Sequence, residues 1–274
     1  MMTRPIPSTG EKLPVIGLGT WQTFDVEGAP ASVKPLAEVV RRFLAAGGRV
    51  IDSSPMYGRS EARTGDAIAA AASTAATPFL ATKVWTDGKA SGVAQMKTSF
   101  QRMQTKRMDL MQIHNLRDWK THLPVLREMK AAGTLRYIGI THYSHGAFAE
   151  MERILRSEKL DFVQLPYNLS DRAAEARLLP AARDTGTAVL VMRPFEEGAL
   201  FGRVKGKALP AWAADFDCAT WAQFFLKFIL GHPAVNCPIP ATRKPDYISD
   251  NVQAGLGRLP DEATRKKMVA LLEA

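Results

Sequence analysis

Four residues of this chain have the types and spacing for acid–base work on a carbonyl group: Asp52, Tyr57, Lys83 and His114. An ammonium beside a phenol stabilises the phenolate, so Lys83 is expected to lower the pKa of Tyr57 toward working pH and make it a general acid. A carboxylate at Asp52 would pair with Lys83, fix its position and keep it charged. The imidazole of His114 can donate a hydrogen bond to a carbonyl oxygen and polarise it for hydride attack. Taken singly, each residue has a plainer reading. Asp52 and Lys83 suit a strand-end ion pair, Tyr57 a turn aromatic beside Gly58, and His114 a satisfied core histidine. Lys83 also suits a Schiff base in a phosphate-binding isomerase or aldolase.

The elements that must position these groups are legible as a rhythm. Short β-branched runs alternate with longer Ala/Leu/Arg-rich segments at a spacing of roughly thirty residues, the mark of repeated βα units. Eight strands are predicted, over 15–20, 49–53, 79–84, 108–114, 137–141, 162–165, 188–192 and 236–239. Amphipathic helices are predicted between and after them, over 33–46, 61–72, 92–104, 124–132, 148–156, 173–185, 220–230 and 246–252. Gly47-Gly48, Gly133, Gly186 and Gly231 stand just past helical runs, where a left-handed cap is expected. Eight such units imply an α/β fold closed as a (β/α)₈ TIM barrel, one domain over residues 1–274, with an open parallel sheet as the alternative. No strand is followed by G-x-G-x-x-G, which counts against the open dinucleotide-binding sheet. In a barrel the site lies at the carboxyl ends of the strands, where Asp52, Tyr57, Lys83 and His114 all fall. The longest irregular stretch, 195–217, follows the seventh strand, and loops of that length are usually functional.

Composition narrows the partners. The chain has 274 residues and a formal charge of +9, from 36 Lys and Arg against 27 Asp and Glu. These cations are scattered among the predicted helices and not gathered in one stripe, so nucleic acid is not expected and a phosphorylated cofactor is the simpler anion. Cys218 and Cys237 form no C-x-x-C pair and are read as reduced thiols, with no metal site. No run approaches about 18 apolar residues and no secretory pattern opens the chain. The expectation is a cytoplasmic protein, an export segment removed upstream remaining open.

The runs Val15-Ile16-Gly17-Leu18-Gly19-Thr20-Trp21, Ile51-Asp52-Ser53-Ser54-Pro55-Met56-Tyr57-Gly58, Thr82-Lys83 and Ile113-His114-Asn115 resemble, in order, the signatures of the aldo-keto reductase family. The resemblance covers nearly the whole chain. It implies NADPH-dependent reduction of aldehydes or ketones, a cofactor laid across the barrel mouth, and Asp52, Tyr57, Lys83 and His114 as a catalytic tetrad without metal. It places Gly19, Thr20, Trp21 and Asp52 beside the cofactor. Thr141-His142 stand where the family has Ser-Asn, and Gln164 matches the glutamine that also contacts the nicotinamide carboxamide. Met192 takes the place of an aromatic platform, offering dispersion in place of stacking. Arg193, Pro194 and Phe195 follow it. The phosphate-binding run is matched by Thr242, Arg243 and Lys244, with Tyr247 and Asn251 toward the adenine. Because that run opens a helix, its amides favour an anion, and the cationic pair favours NADPH over NADH. Trp21, Trp85 and His114 would line the substrate pocket, with Phe195 and Trp119 adding to its wall and Trp212 closing over the cofactor.

Two other readings use the same residues. The fold could reduce an imine or an enone, since hydride delivery alone does not distinguish the bonds. It could also be a non-catalytic nicotinamide-binding subunit, whose mark would be a damaged tetrad. The expected partner is a small carbonyl compound, with no nucleic acid and no membrane, and the expected state is a monomer or weak oligomer.

Overall fold

The computed structural model describes residues 1–71 and 77–273. The chain opens with an antiparallel hairpin, β1 (Thr3–Pro5) and β2 (Lys12–Pro14), that the sequence reading did not include. The βα repeat then follows: β3 (Leu18–Gly19), α1 (Pro30–Ala45), β4 (Val50–Asp52), α2 (Ser60–Ala70), β5 (Phe79–Val84), α3 (Lys89–Arg102), β6 (Met108–His114) and α4 (Trp119–Ala131). It continues through β7 (Leu135–Thr141), α5 (Phe148–Ser157), β8 (Phe162–Pro166), α6 (Leu178–Thr185), β9 (Ala188–Met192), α7 (Ala199–Arg203), α8 (Trp221–Leu230) and β10 (Cys237–Pro238). Helices α9 (Pro245–Gln253) and α10 (Glu262–Glu273) end the chain. The end expected for the second helix, Ala72, lies outside the described residues.

Strands β3 to β10 pair in parallel, each with its sequence neighbour. The sheet closes on itself, because Gly17 N donates to Pro238 O at 2.9 Å, Gly19 N donates to Pro240 O at 3.1 Å, and Gly19 bridges Ala241. The open-sheet alternative is thereby removed, and the fold is a (β/α)₈ barrel. Both faces of its strands are covered, so β5 and β8 are buried along their whole length, as parallel sheets require. The longer helices carry an apolar stripe, except α8, which is buried continuously from Gln223 to Leu230. In α1, Leu36, Val39, Val40 and Phe43 are buried at the i, i+3, i+4, i+7 spacing that lays a helix on a sheet.

Period two along the strands sorts the barrel interior into tiers. Val50, Phe79, Ala81, Leu110, Tyr137, Phe162, Ala188 and Leu190 pack as one apolar cluster inside the barrel. Two residues further along each strand the same face carries Asp52, Lys83, Gln112, Gln164 and Met192. The amino-terminal hairpin stoppers the apolar end: Ile6 and Leu13, fully buried, belong to the interior cluster, and Tyr137 hydrogen-bonds Thr9 at 2.9 Å and donates to Glu11.

Two local expectations are corrected. Gly231 is right-handed (φ −63°), and a side chain there would meet Pro260 O at 2.8 Å, so glycine is needed for a close approach. The stretch 195–217 is not irregular throughout, since it holds α7 and a 3₁₀ segment, Ala211–Phe216. Among the described residues no helix is long and apolar enough to cross a membrane.

Because Leu13 stoppers the barrel, Leu13→Ala is expected to lower unfolding free energy by about 2–5 kcal/mol in urea titration. A loss below about 1 kcal/mol would mean that the hairpin is an appendage.

Candidate active site

At the carboxyl end of the strands a cleft of about 1050 Å³ runs from the barrel axis to the start of α9. Asp52, the last residue of β4, and Lys83, in β5, meet at its floor. Lys83 Nζ lies 2.6 Å from Asp52 Oδ2 and 2.7 Å from Ser53 O, with Lys83 wholly buried and Asp52 2% exposed. Lys83 Nζ also sits 5.0 Å from the centre of the Tyr57 ring. Burial by itself lowers the pKa of this lysine, but the charges of Asp52 and Tyr57 reverse the effect and raise it, so it is an ammonium. A clamped, fully buried ammonium is not a Schiff-base nucleophile, which removes the aldolase reading.

Tyr57 follows β4 on a turn held by Tyr57 N to Ser54 O. Its pKa differs from the sequence expectation. Burial pushes the phenol above its ordinary value, Lys83 pulls it down, Asp52 pushes it up, and the net direction is upward. The phenol thus keeps its proton at neutral pH, and Lys83 offsets a desolvation cost rather than producing a low pKa.

His114, the last residue of β6, stands edge-on to Tyr57 with ring centres 6.0 Å apart. Burial, then the charge of Lys83, lower its pKa to about 3, so the ring is neutral. Ser54 Oγ is 3.1 Å from its Nδ1 and accepts from Met56 N at 3.4 Å. With Ser54 Oγ donating to Nδ1, the single proton of the neutral ring sits on Nε2, where it can be donated into the cleft.

Asp52 is held from both sides. Its Oδ1 accepts from Gln112 Nε2 at 3.1 Å and from Gln164 Nε2 at 3.0 Å. Gln164 also lines the cleft and accepts from Thr141 Oγ1 at 3.4 Å. The sequence reading missed Gln112 and Ser54. Gln112 stands two residues before His114 on the same strand face, so period two was the signal that could have found it.

Of the other expected cofactor and substrate residues, Gly19, Thr20, Trp21, Met192, Arg193, Pro194, Phe195, Thr242, Tyr247 and Asn251 line the cleft. Arg193 is paired with Glu197 at 3.0 Å and lies 5.0 Å over the Tyr143 ring. Arg193, Glu196 and Glu197 all have left-handed φ (52°, 50° and 55°), so this loop is strained where it borders the cleft. Arg243 and Lys244 are exposed beside Thr242, whose Oγ1 accepts from Lys244 N at 3.1 Å at the start of α9.

Neither Arg243 nor Lys244 lines the cleft, and five further expected residues do not line it either. Thr141 is buried beneath it, and His142 stacks on Tyr143, which lines the cleft in its place. Trp85 backs His114 at 6.4 Å, its own ring covered by Arg117. Trp119 opens α4 under Arg153, and Trp212 packs on Phe216 and Phe224 with Lys267 over it.

Comparison with known proteins agrees with this geometry. The sequence model of the aldo/keto reductase family matches residues 15–267. An aldo-keto reductase of Bacillus subtilis is 31% identical over 218 residues, covering 73% of this chain and 63% of that protein. An NADH-specific methylglyoxal reductase of Escherichia coli is 37% identical over 89 residues, 32% of this chain and 26% of the other. The chain thus spans less than two thirds of the length of these curated relatives. An aldo-keto reductase of Klebsiella pneumoniae, solved in complex with NADPH, shares the fold with a TM-score of 0.80 at 22% identity, covering 99% of this chain and 96% of its own. With the barrel closed, the four groups gathered at its mouth and the family model matched from the first barrel strand into the last helix, the chain belongs to the aldo/keto reductase family.

Proposed function

We propose that the chain works as one (β/α)₈ domain reducing an aldehyde or ketone to an alcohol, with NADPH as hydride source and Tyr57 as proton donor. The observation that carries this reading is the neutral phenol of Tyr57 set against a buried ammonium and facing a neutral imidazole at the floor of one cleft.

The residues present suit a nicotinamide dinucleotide. The cleft is long, its floor offers the amide of Gln164 and the thioether of Met192, and its far end offers Thr242, Asn251 and the amino end of α9. Arg243 and Lys244 supply cations for a 2′-phosphate there. When bound, the nicotinamide would supply the hydride. The chain does the rest. His114 Nε2–H orients the carbonyl oxygen, whereas a protonated imine would offer this donor no lone pair to accept its bond. Tyr57 passes its proton to that oxygen, and Lys83, held by Asp52, stabilises the phenolate left behind. Trp21, Met56 and Tyr143, all exposed at the cleft rim, suit an apolar or aromatic substrate body.

Tyr57→Phe is expected to lower kcat for a nitrobenzaldehyde at least a hundredfold, since general acid help is worth about 10²–10⁴, while nucleotide affinity is kept. Equal turnover by both proteins would overturn the proposal. Replacing Arg243 and Lys244 together by Ala should raise the Kd for NADPH about tenfold or more in fluorescence titration and leave that for NADH nearly unchanged. A uniform loss for both nucleotides would remove these residues from phosphate recognition.

Neutral His114 also links stability to pH. In the unfolded chain a histidine takes up a proton below about 6.5, whereas in the fold His114 does so only near 3. The unfolded state therefore holds more protons between these values, and stability falls as pH drops through that window, by up to about 1.4 kcal/mol per unit. His232, lowered to about 4 by burial, acts in the same direction. His114→Asn is expected to lose about 1–2 kcal/mol less than the unaltered protein between about pH 6.5 and 4.5. Parallel stability curves for the two proteins would show that His114 titrates in the fold as it does in the unfolded chain.

A further inference from the structure

Gln112 lies in the middle of the barrel, wholly buried, and the reaction proposed above assigns it nothing. Its amide is used on one side alone. Nε2 donates to Asp52 Oδ1 at 3.1 Å, while Oε1 is buried with no hydrogen-bond partner among the described residues. The orientation is fixed by Asp52, because the flipped amide would set its oxygen against a carboxylate oxygen. Gln164, which donates to the same oxygen, differs in having its own carbonyl satisfied by Thr141.

A buried orphan carbonyl is costly, and each one calls for an explanation. Methionine has nearly the same shape and would fill this position without an unpaired polar atom. The stabilisation from one charge-assisted bond is therefore offset by the orphan, and glutamine offers the fold little net gain here. The register places Gln112 beside Lys83 on β5 and Gly139 on β7. A side chain at Gly139 would lie 2.5 Å from Phe162 O, so this neighbour is held to glycine, and the amides of Gln112 and Gln164 are the ones of this tier that reach Asp52 Oδ1.

We infer that Gln112 is a positioning residue for the reaction: its amide and that of Gln164 pin Asp52 Oδ1 so that Oδ2 holds Lys83 under Tyr57. Gln112 acts through Asp52 and touches neither substrate nor cofactor. The inference rests on the reductase reading, and the same assay separates the two.

The experiment compares the unaltered protein, Tyr57→Phe, Gln112→Met and Gln112→Glu in kcat, KM, NADPH affinity and Tm. Gln112→Met is expected to lower kcat about tenfold, with KM and nucleotide Kd within about twofold, because one of two charge-assisted donors is lost. Its Tm should stay within about 3 °C, the lost bond and the removed orphan nearly cancelling. Gln112→Glu sets a second carboxylate against Asp52. Its activity should be lower still at neutral pH and recover as pH falls, when a shared proton restores a donor. Unchanged kcat in Gln112→Met, beside Tyr57-dependent turnover of the unaltered protein, overturns the inference alone. A Tm loss above about 10 °C assigns Gln112 to the fold instead. If the unaltered protein has no Tyr57-dependent turnover, the reductase reading falls and the inference with it.

Discussion

The buried pair of Lys83 and Asp52 is the interaction on which the mouth of this barrel depends. Two opposite charges are taken out of water at the barrel axis, a step whose desolvation cost offsets much of their attraction. The pair persists because its other capacities are filled: Lys83 also donates to Ser53 O, and Asp52 accepts from Gln112 and Gln164. Removing either partner would leave an uncompensated charge, a loss of about 3–5 kcal/mol in comparable settings. Strands β4, β5, β6 and β8 must therefore be in register before the pair is tolerable, and the closed barrel is what holds them so.

Around the pair the interior is divided along its axis. Below, side chains from Val50 to Leu190 form an apolar plug sealed by Ile6 and Leu13. Above, Asp52, Lys83, Gln112 and Gln164 are polar and Met192 is soft, with Gly139 left without a side chain between them. The apolar tier holds the strands together, and the polar tier, destabilising by itself, is carried by it. This division keeps Tyr57 and His114 neutral. His114 is buried and Tyr57 half-buried at the cleft floor, and the nearby ammonium adds to the burial of the imidazole while offsetting that of the phenol. One ammonium thus supports two neutral donors facing the same space. The cleft walls are looser, with Trp21, Met56, Tyr143 and Tyr247 exposed at the rim and strained backbone at Arg193, Glu196 and Glu197.

The eight βα units, and the type and tier of the chemistry-bearing side chains, were legible in the order of residues. Both follow from local periodicity: β-branched runs alternate with amphipathic ones, and period two turns Asp52, Lys83 and His114 inward at strand ends. What it could not determine are relations between distant strands. The contacts of Asp52 with Gln112 and Gln164 join residues 60 and 112 positions apart, and nothing local states that their amides meet on one oxygen. The hairpin ending at Pro14 was missed because three-residue strands carry too little pattern. Trp85, Trp119 and Trp212 were placed by nearness in sequence to the mouth, whereas contacts with other elements decided their direction: Trp85 with His114 and Arg117, Trp119 with Arg153, Trp212 with Phe224 and Lys267. The upward pKa of Tyr57 was decided by tertiary structure alone, for burial is a sum over every surrounding element and only the folded barrel sets it against the charge of Lys83.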